Sequence, residues 1–162
     1  MTLHNPLNFA LRPTRAETMP ATLAARIFLA CPYSHQNPIM HVSRALSASE
    51  ATARLMVAGY TVFSPISHGH AVCEADITGI VGTDAQAWAA LNDVVLQVCD
   101  ALVVLGLPGC IESVGVRREV SLAVHFGLPV NMLRFFEGGV PVVERGVDPT
   151  LWSEWPDYEG GL

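Results

Sequence analysis

Apolar positions along the chain alternate between short uninterrupted runs and stretches of helical period. Arg26-Ile-Phe-Leu-Ala-Cys31 is a run of the first kind, stopped by Pro32, and predicts a buried strand with a loop opening at its carboxyl end. From Val42 to Ala58, residues Val42, Ala45, Leu46, Ser49, Ala53 and Met56 recur at roughly helical spacing and Gly59 closes the segment, so a helix is predicted there. Tyr60-Thr-Val-Phe63 predicts a second strand, ending at Ser64-Pro65. The following stretch through Gly82 has three glycines and three isoleucines with no clear period, and is expected to be irregular. Its part from Gly69 to Gly82 has the length of a connection that folds over a site as a lid.

Thr83 is a candidate N-cap, and Trp88, Leu91, Val95 and Val98 mark one face of the helix it would open. Asp100-Ala-Leu-Val-Val-Leu105 is the clearest strand, too uniformly apolar for a sheet wetted on one side and suited to a parallel sheet covered on both. Gly106 to Ser113 forms its outgoing loop, Ser113 caps a helix running to Phe126 with Gly127 as its stop, and Pro129-Val-Asn-Met-Leu133 is the last core strand. This alternation predicts one α/β domain over residues 26–135, a doubly wound parallel sheet of Rossmann-like or flavodoxin-like type with helices on both faces. Residues 1–25 read as a flexible extension and residues 136–162, with Trp152 and Trp155, as an irregular tail. Ligands of such sheets sit at the carboxyl ends of the strands, which nominates the loops at 32–37, 64–70 and 106–113.

Composition narrows the partners. A formal net charge of −6 disfavours duplex nucleic acid, while leaving room for a small anion held by backbone N–H groups. Cys31, Cys73, Cys99 and Cys110 have no metal-ligand spacing and lie in or beside apolar runs, as reduced, buried thiols would. Residues 1–25 contain no apolar segment long enough for a signal or membrane helix, so a cytoplasmic protein without a membrane partner is expected.

The third loop and its helix carry the chemistry. Ser113 at the N-cap places a hydroxyl and free N–H groups where an anion can rest, and Gly115, four residues before Glu119, leaves room above that carboxylate on the same helix face. A glutamate beside Arg117 and Arg118 is otherwise an ordinary solvated charge, and the serine an ordinary cap. Phe28 reads as core or as a pocket wall, and Tyr33, Ser34 and His35 as turn residues or ligand contacts. Ser67, His68 and His70 invite a metal reading through His-x-His, but no third ligand has suitable spacing; a polar pocket wall is preferred, with neither metal nor cofactor.

Three segments carry a resemblance: Phe28-Leu-Ala-Cys-Pro-Tyr33-Ser34-His35, Phe63-Ser-Pro-Ile-Ser67-His68, and Cys99 to Gly109 followed by Ser113-x-Gly115-x-x-x-Glu119. Together they resemble a bacterial domain-of-unknown-function family grouped with the nucleoside 2-deoxyribosyltransferase superfamily and its nucleotide N-glycoside hydrolases. The resemblance runs from about Arg26 to Val130. It implies that Glu119 is the nucleophile toward C1′ of a sugar, giving a glycosyl-enzyme intermediate. It also implies that Ser113, where transferases carry an aspartate, meets a 5′-phosphate rather than a free hydroxyl, and that Phe28 and Gly109 belong to the pocket.

The position that helps the leaving base in such relatives falls on Asn92, next to Asp93; an amide there can hydrogen-bond a base but cannot protonate it. The expected activity is therefore hydrolysis of a nucleoside 5′-monophosphate to base and sugar 5-phosphate. Base exchange on 2′-deoxynucleosides and a nucleotide-binding or sensing module without turnover are the alternatives. A homodimer or larger homo-oligomer is implied by the same resemblance.

Overall fold

Arg26 and Asp100 fasten the amino-terminal ends of two neighbouring strands. The Asp100 carboxylate, only 2% exposed, accepts from the Arg26 backbone N–H at 2.8 Å, from its Nε at 3.0 Å and from its terminal Nη2 at 2.7 Å. In the computed structural model, which describes residues 25–79, 85–135 and 141–144, this pair sits at the start of the two central strands. The opposite, carboxyl ends of these strands are left to open into loops.

The elements are β1 (Arg26–Ala30), α1 (Pro38–Val57), β2 (Thr61–Phe63), α2 (Pro65–Ala75), α3 (Ala85–Gln97), β3 (Ala101–Leu105), α4 (Val114–His125), β4 (Val130–Phe135) and β5 (Pro141–Glu144). They build one sheet in the order β2-β1-β3-β4-β5. The pairs β1–β2, β1–β3 and β3–β4 are parallel, with Phe28 opposite both Phe63 and Leu102, and Leu102 opposite Val130. The pair β4–β5 is antiparallel.

Successive strand side chains point to opposite faces, and here both faces are covered. Ile27, Leu29, Val103, Leu105 and Leu133 pack with Ala48, Ala51 and Leu55 of α1. Phe28, Ala30, Leu102, Val104, Val130 and Met132 pack with Leu96 of α3 and Val116, Val120 and Ala123 of α4. The uniformly apolar β3, buried at all five positions, is the direct consequence. The predicted α/β sheet with helices around it is the fold the chain adopts, and among the described residues no helix is long and apolar enough to cross a membrane.

Three departures from the pattern-based reading have local causes. Helix α1 begins at Pro38, four residues before the periodic signal, because the Asn37 side chain accepts from the Ile39 N–H at 3.0 Å and proline suits the first helical position. The stretch after Phe63, expected to be irregular, is α2: the Ser64 hydroxyl accepts from the Ser67 N–H at 3.3 Å, and Pro65 takes the first turn. Only residues 76–79 of the expected lid are non-helical in the described chain, while 80–84, with Thr83, lie outside it. The tail expected to be irregular contributes β5, which extends the sheet past residue 135. Residues 1–24, and Trp152 and Trp155, lie outside the described residues.

Candidate functional site

A cavity of about 370 Å³ opens at the carboxyl ends of β1 and β3, between the loop after β1, helix α2, one face of α3 and the start of α4. This is where the strand order of the sheet reverses direction about β1 and β3, the usual ligand position in open α/β sheets. Its volume lies in the roughly 300–1,000 Å³ range of small-molecule sites.

Helix α4 supplies the chemistry. Ser113 caps it, its side chain accepting from the Val116 N–H at 3.4 Å. Gly115 follows in the first turn with Glu119 one turn later, and all three residues line the cavity. A Cβ added at Gly115 would meet nothing nearer than Ser113 Oγ at 3.9 Å. Neither packing nor backbone conformation therefore requires glycine here, although glycine costs helix stability. The space it leaves opens into the cavity.

Glu119 is 7% exposed, which removes the reading of a solvated surface charge. Asn92, on α3, donates from Nδ2 to Glu119 Oε1 at 3.0 Å. Burial nevertheless pushes the Glu119 carboxyl up to about 8; the Asn92 hydrogen bond and the Arg118 charge oppose the shift, and the Asp93 charge adds to it. At neutral pH the group is mostly a neutral acid. Asn92 Oδ1 is buried and has no hydrogen-bond partner among the described residues, so an acceptor remains beside Glu119 for a ligand donor.

The neighbouring residues hold this pair in place. Asp93 turns from α3 onto Arg118 of α4 and takes both terminal guanidinium nitrogens at 2.5 Å, so Arg118 lines the cavity but Asp93 does not. Arg44, buried in α1, donates to the Ser34 carbonyl and to the Pro108 carbonyl, each at 2.9 Å, and so ties the loop after β1 to the loop after β3. Gly109 has a φ of +82° in that second loop, with Arg44 packed where a Cβ would stand.

Of the residues nominated from sequence, Glu119, Asn92, Ser113, Gly115, Tyr33, Ser34 and His70 line one cavity. The others are placed elsewhere. Phe28 is wholly buried in the core against Phe63, their ring centroids 5.8 Å apart. His35 lies in an exposed turn, where its Nδ1 accepts from the Asn37 N–H. Ser67 takes a hydrogen bond from the Ser49 hydroxyl, and with His68 it borders a separate shallow depression on α2. Gly109 serves the loop under Arg44. Among the described residues no three or more His, Cys, Asp or Glu side chains are grouped to hold a metal ion.

The structure adds cavity walls that periodicity did not single out. On α2 they are Ile66, Gly69 and Cys73, which share one face with His70 at helical spacing; on α3 they are Ala85 and Ala89, beside Trp88 and Asn92. Trp88 seats against Gly69, where an added Cβ would stand 3.5 Å from the indole ring. The Tyr33 hydroxyl is 2.8 Å from His70 Nδ1. All four cysteines are free: Cys31, Cys99 and Cys110 are buried, whereas Cys73 is half-buried at the cavity.

No curated protein matches the chain. The model of a family described as a domain of unknown function (DUF1937) matches residues 25–134, which takes in every residue lining the cavity and all of the sheet from β1 to the penultimate residue of β4. The chain belongs to the DUF1937 family.

Proposed function

We propose that the chain hydrolyses the N-glycosidic bond of a nucleoside 5′-monophosphate, with Glu119 as the nucleophile on C1′ and the Ser113 end of α4 as the phosphate seat. The observation that carries this reading is the common cavity of Ser113, Gly115 and Glu119 on one helix. Six residues at helical rise put the cap about 9 Å from the carboxylate position along the axis, a separation suited to a ligand with an anion at one end and a reacting carbon near the other. The resemblance to the nucleoside 2-deoxyribosyltransferase superfamily, read from the loop motifs, supplies the reaction class.

The chemistry is physically consistent. C1′ gains positive character as the bond to the base lengthens, and a carboxylate in a water-poor site stabilises that charge and then captures it, as in retaining glycosidases. The N–H groups of the first turn of α4 and the Ser113 hydroxyl attract a phosphate. Asn92 keeps one carboxyl oxygen of Glu119 in a fixed direction, and its free carbonyl can accept from the sugar or the base.

A nucleotide-binding module without turnover is the second reading, and the raised pKa of Glu119 favours it. With a value of about 8, roughly one molecule in ten carries the nucleophilic form at pH 7. Incubating the protein with a panel of nucleoside monophosphates decides between the two. Base and sugar 5-phosphate, formed by wild type and lost by several orders of magnitude in Glu119→Gln, support hydrolysis. Thermal stabilisation by a nucleotide with no product supports the binding module. Transfer of the sugar to an added free base would support base exchange.

A further inference from the structure

Glycosidic cleavage leaves an electron pair on the base, and a proton delivered to that base makes it a better leaving group. The two α3 side chains nearest in sequence to this task are committed elsewhere. Asn92 donates to Glu119, and Asp93 is held by Arg118 away from the cavity lining. Among the remaining ionisable groups that line the cavity, burial raises the Cys31 thiol to about 12 and also raises Cys73 and Tyr33, while hydrogen bonding to Asp93 raises Arg118. All four keep their protons.

His70 is the ionisable group left, and its surroundings orient it. It projects from α2 beside Ile66 and Cys73 into the cavity. Its Nδ1 lies 2.8 Å from the Tyr33 hydroxyl. Tyr33 is itself fixed by stacking on His41, with centroids 4.9 Å apart and planes inclined by 30°, and His41 Nε2 is 3.0 Å from the His35 N–H. Two stacked rings thus hold the imidazole of His70 by one nitrogen. The other nitrogen, Nε2, is the one that can exchange a proton with a ligand. Imidazole is the side chain suited to giving and then retrieving a proton near neutral pH.

We propose that His70, oriented by Tyr33, is the acid that protonates the departing base and the base that then receives a proton from the attacking water. This rests on the glycosidic reading of the cavity. As a Glu119 oxygen bonds to C1′, the C1′–N bond breaks, its electron pair passes to the base, and the proton on His70 Nε2 moves to the base. In the second half, water oxygen bonds to C1′, the C1′–Oε bond breaks with its electrons returning to Glu119, and the water's proton goes to His70 Nε2. Nucleotide and water become base and sugar 5-phosphate, and both side chains return to their starting states.

The test compares wild type, His70→Gln and Tyr33→Phe on two substrates: the nucleotide that wild type cleaves fastest, and a 4-nitrophenyl glycoside of the same sugar 5-phosphate, whose phenolate departs without a proton. His70→Gln is expected to lower kcat/KM, which reports the steps up to release of the leaving group, by roughly 10²–10⁴-fold on the nucleotide and by no more than a few-fold on the nitrophenyl substrate, while the shared hydrolysis of the glycosyl-enzyme slows on both. Retained nitrophenyl cleavage also reports a folded site. Tyr33→Phe is expected to show the same substrate dependence with a smaller loss. Equal losses of kcat/KM on both substrates in His70→Gln, or no loss on the nucleotide, would overturn the assignment. Failure of the glycosidic reading itself looks different: wild type would release no base from any nucleotide.

Discussion

Asn92 on α3 donates a 3.0 Å hydrogen bond to the Glu119 carboxyl on α4, so the residue that the resemblance placed beside the leaving base is joined to the carboxyl proposed as nucleophile. That bond joins the two helices over the cavity and works against the effect of burial on the acid. Removing it in Asn92→Ala should raise the Glu119 pKa further above about 8. The rising limb of kcat/KM against pH then moves to higher pH, with a fall on the order of tenfold at pH 7. An unmoved profile in the variant would break the link between Asn92 and the ionisation of Glu119.

Glu119 also makes folding stability depend on pH. Its folded value of about 8 lies above the ordinary 4.5, so between these values the folded chain holds a proton that the unfolded chain has released. The contribution of this group is unchanged below about 4.5, falls as pH rises through the window, and levels off above about 8. At pH 7 the cost is on the order of 3 kcal/mol. Glu119→Gln should remove this slope and be the more stable protein at pH 8, as read by urea denaturation across the range. Parallel pH dependences in the two proteins would contradict a buried, neutral acid.

Gly115→Ala separates folding from ligand binding. The added methyl meets nothing closer than 3.9 Å, so the helix should gain up to about 1 kcal/mol. A ligand occupying the space above the first turn of α4 should bind more weakly, and Gly115→Leu should bind it weakly or not at all. Calorimetric melting and nucleotide titration check the two halves; a leucine variant with wild-type affinity would remove the ligand from this end of the cavity.

Arg44 spans two loops from a buried position, with one nitrogen on the Ser34 carbonyl and another on the Pro108 carbonyl. Arg44→Met should cost about 2–4 kcal/mol in denaturant unfolding. Arg44→Lys should recover little of it, because one ammonium on a flexible stem lacks the planar fork that reaches both carbonyls. Full rescue by lysine would mean that charge alone, and not the span, matters.

Much of the sheet was legible because β1 and β3 are buried on both faces and read as continuous apolar runs, with β4 a similar run broken by Asn131 and Arg134. Helix α2 was hidden by a double meaning: Ser64-Pro65 ends a strand, yet serine before proline is also a cap followed by a first-turn proline. Strand β5 is four residues between Val140 and Arg145, opening on proline and ending on glutamate, too short to carry a period of its own. On the site, Ser113, Gly115 and Glu119 could be read together because a single helix fixes their spacing. His70 was legible as a pocket wall and Trp88 as part of a helix face, but their meeting with Cys73 in one cavity was not, since α2 and α3 meet only through tertiary packing. That packing also decided between core and pocket for Phe28, whose strand position points it into the side-chain layer beneath α3 and α4.

The antiparallel β5 has a bearing on how the molecule behaves when concentrated. It pairs with the six-residue β4, so among the described residues each rim of the sheet is a short strand: three residues in β2 on one side, four in β5 on the other. The second begins with Pro141, which has no N–H to offer. A foreign strand seeking a template finds too few unpaired backbone groups on either rim to extend the ladder, and the long hydrophobic strands most able to seed polymerisation are enclosed between neighbours of the same chain.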